Sequence, residues 1–529
     1  MFVRMRRRTA VRADRAGSAR PALIKAVYVG AWRRRRTGPL PHRKENALLH
    51  QNRRDRCGFG FGADDKNRGV SNVDYNQKLA LWEPYDVVVC GGGPSGIPAA
   101  LAGARAGLKT LLIESTGQLG GVGTSAGVTH LLGGRTLDNK HDCVAGIFRE
   151  ITEGLYARGE AIDPRAIPDE KYSPFGWLKG LVSGVPFNPI AMTALLDEKM
   201  LEAGVDVLYF TGCVDALTDG DRITHIVAFN KSGLFAVPTS AVVDATGDAD
   251  MAARCGCPVV KGREEDGLMT PATLIFHVEG VDQEQTAAYI YEHESPRFRE
   301  MIRSLRERGI WDFPYDIFIS VQVHEKGTMM INTSRICDVD GTDGRSISRG
   351  MMRGRSETHR LMAIMREHFP GFGNARIKLV APVLGIRETR RIVGDYVYTV
   401  QDVLDQRDFP DTIGFSGYGW DLPDPKKPSY QPLAESGKKL KRRYTPIPYR
   451  CMVPRRVTNI ICPGRAISVE RDVLGPLREQ GPCYAMGHAA GLAAVQAVRE
   501  NKPFAAVDTE RLRADLRKQG AIVDWHTQA

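Results

Sequence analysis

The sequence predicts an α/β fold in which a parallel sheet with an appended β-meander is interrupted by an inserted α+β domain. Three observations predict it. The apolar run Tyr85–Cys90 enters Gly91-Gly92-Gly93-Pro94-Ser95-Gly96, an alanine-rich stretch follows to Gly107, and residues 109–113 form a second apolar run closed by Glu114. Such short apolar runs are strands buried on both faces, as in parallel sheets. The strand-then-glycine pattern recurs in residues 241–248 and 459–465, so the chain leaves its first unit and returns to it about 200 residues later. Finally, 529 residues exceed one simple core at roughly 100–200 residues per domain.

Composition narrows the class. Hydrophobic residues at 42% and charged residues at 26% are ordinary globular values, which excludes wholesale disorder and a disulfide mini-scaffold. The formal charge of +11 suggests a nucleic-acid partner only if it belongs to the fold. It does not: residues 1–80 hold 20 Lys+Arg against 6 Asp+Glu, a net of +14, and the rest of the chain is at −3. Residues 1–80 read as a basic, disordered extension or as translation upstream of the true start. Their best apolar stretch, residues 22–32, is broken by Lys25 and followed by four arginines, which argues against a secretory signal. A transit peptide and a nucleic-acid-binding arm are the competing readings, and neither is adopted. The uncharged runs 87–104 and 481–498 carry too many glycines, prolines and alanines to favour lipid, so no membrane partner is expected. Ten cysteines without a CxxC pair argue against a metal site and leave a reduced, cytoplasmic location as the expectation.

The first glycine stretch has a defined chemistry. Gly91 allows the tight turn, Gly93 lets backbone approach a pyrophosphate, and Gly96 packs helix on strand. The helix that starts there, with Ser95 at its mouth, offers N–H groups and a positive dipole end to phosphates. Glu114, 23 residues after Gly91, can accept hydrogen bonds from a ribose diol, and the absence of a following arginine disfavours a 2′-phosphate. A second glycine loop follows at Gly120, Gly121 and Thr124. Farther on stand Ala245, Thr246, Gly247 and Asp248, then Gly464 and Arg465, then Met486 and Gly487 in an alanine-rich helix. Several separated contact segments suit a long ligand, FAD, better than NAD, and Arg465 is expected to neutralise phosphate charge. A helix starting near residues 483–485 is expected to aim its positive end at the flavin, with Gly487 and Gly491 allowing close packing on sheet or cofactor.

With those motifs in place, the chain resembles the FAD-dependent oxidoreductases of the glutathione-reductase-like superfamily. More narrowly it is similar to bacterial proteins related to the flavoprotein component of heterodisulfide reductase. Residues 244–250 (DATGDAD), 262–267, 387–395 and 447–450 extend the match to about residues 85–500. The resemblance implies a Rossmann-like FAD-binding domain, noncovalent FAD and a redox activity. It also implies an iron–sulfur cluster, which the scattered cysteines do not support. The layout expected is a first FAD-binding part at 85–260, a substrate or cap domain at 262–445, an FAD-binding return at 446–500, and a C-terminal helix and tail at 501–529.

Chemistry beyond the cofactor needs a substrate held at the flavin and a proton donor or acceptor. Arg387 and Arg390, with Arg391 and Glu388 beside them, could clamp a carboxylate. His130, just past the second glycine loop, could serve as acid or base. The expected function is an FAD-dependent oxidoreductase passing electrons, as hydride, between a small organic substrate and flavin. The alternative is a flavin-carrying electron-transfer component of a larger heterodisulfide-reductase-like complex. No second GxGxxG follows a strand, so the electron acceptor or donor must be a diffusing molecule or another protein.

Overall fold

The computed structural model describes residues 76–437, 440 and 442–525, so the expectation for residues 1–80 falls almost wholly outside it. The first unit is the expected one: β1 (Tyr85–Cys90), α1 (Gly96–Arg105) and β2 (Thr110–Ile113). Next come β3 (Asp206–Leu208), β4 (Gly212–Asp219), β5 (Arg222–Asn230) and β6 (Gly233–Asp244). The parallel sheet has the order β3–β2–β1–β6, and the return strand Ile460–Ile461 pairs with the far edge of β6. β6 serves two sheets. Its first half, up to Pro238, pairs antiparallel with β5 in the meander, while Thr239 to Asp244 run parallel to β1. Val88, Val89 and Leu112 are fully buried, as a sheet covered on both faces requires.

A second sheet follows: β7 (Phe276–Glu279), β8 (Ser320–Gln322), β9 (Met329–Ile331) and β10 (Arg376–Val380), antiparallel in the order β8–β9–β7–β10. Period-2 alternation splits its side chains between two cores. Phe276, Val278, Met329 and Ile331 join Phe298, Trp311, Tyr315, Phe318 and Phe369 under the covering helices. Met330 and Val321, with Ile275 and Ala381, join a smaller cluster that includes Val128 beyond the second glycine loop. Tyr172 and Trp177, from the sequence between β2 and β3, also pack in the aromatic core.

Two elements differ from their sequence patterns, each for a packing or backbone reason. Residues 283–309 carry a helical pattern in sequence and form two helices, Gln283–His293 and Arg299–Glu307. Pro296 and the left-handed Glu294 and Phe298 (φ 47° and 55°) separate them. The helical pattern over 350–368 starts earlier in the structure, as α2 (Gly344–His368), capped by Asp343 accepting from the Ser346 N–H at 2.6 Å. It tolerates Gly354 because a Cβ there would stand 2.8 Å from both Ile336 and Leu274, so tertiary packing outweighs helix propensity.

The α1 helix allows a test with opposite signs. A Cβ at Gly96 would lie 1.8 Å from the Gly91 carbonyl oxygen, whereas one at Gly103 meets nothing closer than 3.4 Å. Gly96→Ala should destabilise by about 1–3 kcal/mol. Gly103→Ala should stabilise by roughly 0.5–1 kcal/mol through lost chain entropy. Urea unfolding of the two variants checks both, and equal effects would contradict the packing described.

Candidate active site

Four separated segments meet at the start of α1. Gly91 has φ +108° and its missing Cβ would collide with the Ala245 carbonyl at 2.5 Å, so β1 and β6 end in direct backbone contact. The second loop leans on the first: Gly120 N–H donates to the Gly92 carbonyl at 2.9 Å, and a Cβ at Gly121 would stand 2.8 Å from Gly93 Cα. Gly464 (φ +92°) lies against Ser95, its missing Cβ 2.8 Å from Oγ. Gly93 is different. Its Cβ would meet nothing nearer than Gly121 Cα at 3.9 Å, so this glycine faces open space rather than protein.

That space is lined for an anion. Ser95 makes no side-chain cap, and among the described residues the Gly93 and Ser95 N–H groups meet no protein acceptor. Free N–H groups and a helix start are what a pyrophosphate needs. Glu114 is buried beneath the loop. It accepts the Gly92 N–H at 2.8 Å and the Thr116 N–H at 2.7 Å, which fixes the loop against the strand end. Oε1 also accepts from Ser115 Oγ at 3.3 Å, so Oε2 is the oxygen that keeps a lone pair for a ribose hydroxyl. Thr124 is turned inward, donating to the Leu119 carbonyl at 2.6 Å.

The turn after β6 is held from within. Asp244 is fully buried and accepts from Thr246 Oγ1 at 2.7 Å and from the Ala252 N–H at 2.9 Å. Burial pushes its pKa up, and these donors oppose the rise. Thr246 Oγ1 in turn accepts the Asp250 N–H at 3.1 Å. Arg465 does not stand free for phosphate: it reaches Asp248 at 2.6 Å and Thr389 Oγ1 at 3.0 Å, so its charge is already balanced. Gly247 (φ +78°) lies beside that guanidinium.

The last helix, α3 (Gln480–Arg499), starts a few residues earlier than its sequence pattern suggests. Gly487 and Gly491 face α1: Cβ atoms there would lie 2.0 Å from the Ser95 oxygen and 2.4 Å from the Ala99 oxygen. The close approach they allow is helix on helix, and Met486 is fully buried. The start of α3 closes the site from the other side. A Cβ at Gly123 would meet Gln480 Oε1 at 2.5 Å, and Gln480 Nε2 donates to the Val128 carbonyl at 2.9 Å. Gln480 does not stand out in the sequence, because it acts through a backbone carbonyl 352 residues away.

The second sheet sits on this loop. His277 Nε2 bonds the Gly127 carbonyl at 2.9 Å, and Val383 N–H donates to Ser125 at 3.3 Å. Burial holds the His277 pKa below its ordinary value. His130 is buried on a two-residue strand, its Nε2 without a hydrogen-bond partner, and burial pulls its pKa to about 4. It is therefore neutral at pH 7, with its ring against Gly184.

The arginines that adjoin in sequence do not share a site. Arg390 and Arg391 lie on the strand Arg390–Ile392, so their side chains diverge. Arg390 pairs with Asp250 at 2.8 Å. Arg391 turns to Glu388, which is also gripped by Arg471 at 2.7 and 2.8 Å. Arg387 alone goes elsewhere: it donates to the Pro271 carbonyl at 2.9 Å, Thr273 Oγ1 at 2.5 Å and Asn332 Oδ1 at 3.1 Å. Beside it stand Arg335 and Arg478, which no sequence motif marks.

Among the described residues, no group of three or more His, Cys, Asp or Glu could hold a metal ion. Cys90, Cys257 and Cys462 do converge, with Cys213 and Cys255 at their edge, but as members of an apolar cluster. The neighbouring Cys213 and burial raise the Cys90 thiol well above its usual range, and burial does the same to Cys462. No described helix is long and apolar enough to cross a membrane.

Comparison with known proteins bears on this cradle. The chain is 51% identical over 53 residues to a dihydrolipoyl dehydrogenase of Trypanosoma brucei brucei, covering 10% of this chain and 11% of that protein. It is 32% identical over 142 residues to the mitochondrial dihydrolipoyl dehydrogenase of Schizosaccharomyces pombe, covering 26% and 22%. The matches thus span under a quarter of those relatives' lengths. A solved p-nitrophenol 4-monooxygenase PnpA from Pseudomonas putida DLL-E4 is similar at TM-score 0.43 and 12% identity, over 83% of this chain and 85% of that one. A geranylgeranyl bacteriochlorophyll reductase-like protein from Thermoplasma acidophilum gives 0.39 and 13%, over 83% and 84%. Likenesses at that level assign neither reaction nor substrate. The family model described as FAD dependent oxidoreductase, in contrast, matches residues 86–516. The chain therefore belongs to the FAD-dependent oxidoreductase family, an enzyme family whose cofactor suits the open, N–H-lined face at Gly93.

Proposed function

We propose that the protein passes electrons, as hydride, between a small organic substrate and bound FAD, in a site between the second glycine loop and the second sheet. The observation that supports this reading is the seating of that sheet on residues 125–130, through His277, Val383 and Ala381. A cofactor held by the glycine loops would then have its redox end beneath a separate layer that can hold substrate. Residues 262–445 supply that layer in this reading, and residues 85–260 and 446–500 hold the cofactor.

FAD supplies the two-electron carrier when bound. The chain's own groups do the rest. Gly93 and Ser95 present N–H donors to the pyrophosphate, and Glu114 holds the loop while accepting from a ribose hydroxyl. Gln480 ties the start of α3 to the second loop. His277, neutral and bonded to Gly127, keeps the sheet in register with that loop rather than exchanging protons. Arg387, which unlike Arg390 and Arg391 pairs with no carboxylate among the described residues, is the residue we assign to substrate.

Two measurements test the reading. Gly93→Val has room at its Cβ, so the variant should fold with the melting temperature of the wild-type apoprotein yet lose most of its flavin absorbance. A folded variant with full flavin would contradict the placement of the pyrophosphate. Anaerobic mixing of the holoprotein with a panel of small metabolites should bleach the flavin with at least one of them. Bleaching only by a partner protein would favour the electron-transfer role within a larger complex.

A further inference from the structure

We propose that Arg297, Arg335, Arg387 and Arg478 form an anion subsite that holds the carboxylate of an organic-acid substrate. This inference rests on the oxidoreductase reading above and names its substrate class. The four residues are far apart in sequence and come from four elements: the break between two helices, the turn after β9, the segment before Arg390–Ile392, and the approach to α3. Arg335 and Arg387 share Thr273 Oγ1, at 3.4 and 2.5 Å, and Asn332 Oδ1 holds the other arm of Arg387. Arg478 stands two residues before Gln480, whose amide lies against Gly123 of the second glycine loop.

The charge in this recess is not balanced by the protein. Among the described residues, Arg297, Arg335 and Arg387 form no ion pair within 4.0 Å. Arg335 is only 4% exposed, donates through Nη1 to three backbone carbonyls, and leaves Nε without a partner. The nearest acids are Asp421 and Glu479, at 3.2 and 3.5 Å from Arg478. Asp421 is further occupied by Gln431 at 2.6 Å. Four guanidiniums thus face two carboxylates. The same protein pairs its other buried arginines closely: Glu388, 1% exposed, binds Arg471 through both oxygens. Buried cations without partners are costly, so a group left this way marks a place for an anion.

Two further features agree. Burial, and then Arg335 and Arg478, bring the Arg387 pKa down to about 9, and burial brings Arg297 to about 10. Yet Arg297, Arg387, Tyr418 and Glu479 are only half-buried. Side chains withdrawn from bulk water while still accessible line a recess rather than fill a core. A planar carboxylate matches the guanidinium fork, whereas Asp421 and Glu479 on the same walls oppose a phosphate dianion.

The test uses the FAD-loaded full chain. Acetate, succinate and benzoate are titrated while the flavin difference spectrum and the melting temperature are followed, with the matching amides and inorganic phosphate as controls. The expected result is a saturable response to at least one carboxylate, absent with its amide and weaker with phosphate. Arg387→Lys keeps the charge but loses the fork, and should weaken that response by about 10-fold or more with FAD content unchanged. Arg335→Gln should do the same, and Asn332→Ala, which only frees Arg387, should weaken it less. No carboxylate response in a protein that retains FAD, equal binding of the amides, tighter binding of phosphate, or unchanged affinity in both arginine variants would overturn the proposal. Failure to retain FAD would instead count against the oxidoreductase reading, and the melting-temperature response would still report on the subsite.

Discussion

The close backbone contact around the first turn of α1 is the constraint on which the structure depends. Gly96 sits on the Gly91 carbonyl, Gly91 on Ala245, Gly464 on Ser95, and Gly487 and Gly491 on the Ser95 and Ala99 carbonyls. Each contact is too short for a side chain at the glycine, so four stretches of sequence are locked to one another by close backbone approach. This explains how a chain can leave after β6, build a second sheet, and return with its cofactor-facing loops still aligned. The return strand pairs Ile460 with Val242 and Ile461 with Val243, and the Asn459 side chain beside it bonds the Ile223 backbone and the Ser240 carbonyl. Helix-on-helix glycine packing adds to these contacts.

The two sides of the site solve different electrostatic problems. On the cofactor side, side-chain charge is consumed internally: Asp244 by the turn it holds, Arg465 by Asp248, Arg390 by Asp250. What remains for a diphosphate is backbone N–H and the end of a helix, a modest potential fixed in place by packing. At the cluster of Arg297, Arg335, Arg387 and Arg478 the charge stays in side chains, and the neighbouring acids Asp421 and Glu479 are too few to cancel it. A long dinucleotide gains affinity from many small contacts, whereas a small acid must gain it from a few strong ones.

How much was legible in the sequence follows from the same distinction. The cradle was legible because its parts are local: apolar strand, glycines, helix and terminal acid lie within residues 85–114. The residues whose roles differ from their sequence patterns are those where a contact crosses the chain. Arg465 faces Asp248 from 217 residues away, and Gly487 meets α1. The run Arg387 to Arg391 looks like one cluster in sequence, yet strand alternation sends Arg390 and Arg391 to opposite sides. Arg297 lies in the break between the helices Gln283–His293 and Arg299–Glu307, where no sequence motif marks it.

That break gives Pro296 and Phe298 a role beyond ending a helix. Phe298 is fully buried, stacked on Tyr289 and packed edge-on against Phe318. Its left-handed backbone is therefore held by the aromatic core and not by a glycine. Anchoring the residue on one side of Arg297 in this way fixes where the guanidinium leaves the chain, and its Nη1 is tied to the Gly176 carbonyl at 3.1 Å. Gly176 precedes Trp177, whose Nε1 donates to Ser320 on β8 at 3.0 Å. The aromatic core thus does more than fill the second layer. It positions a charged side chain at the rim of that layer, and it draws residues 172–177, from between β2 and β3, into the same packing. A substrate held there would be read by groups whose geometry is set by apolar contacts on one side and by the glycine loops on the other.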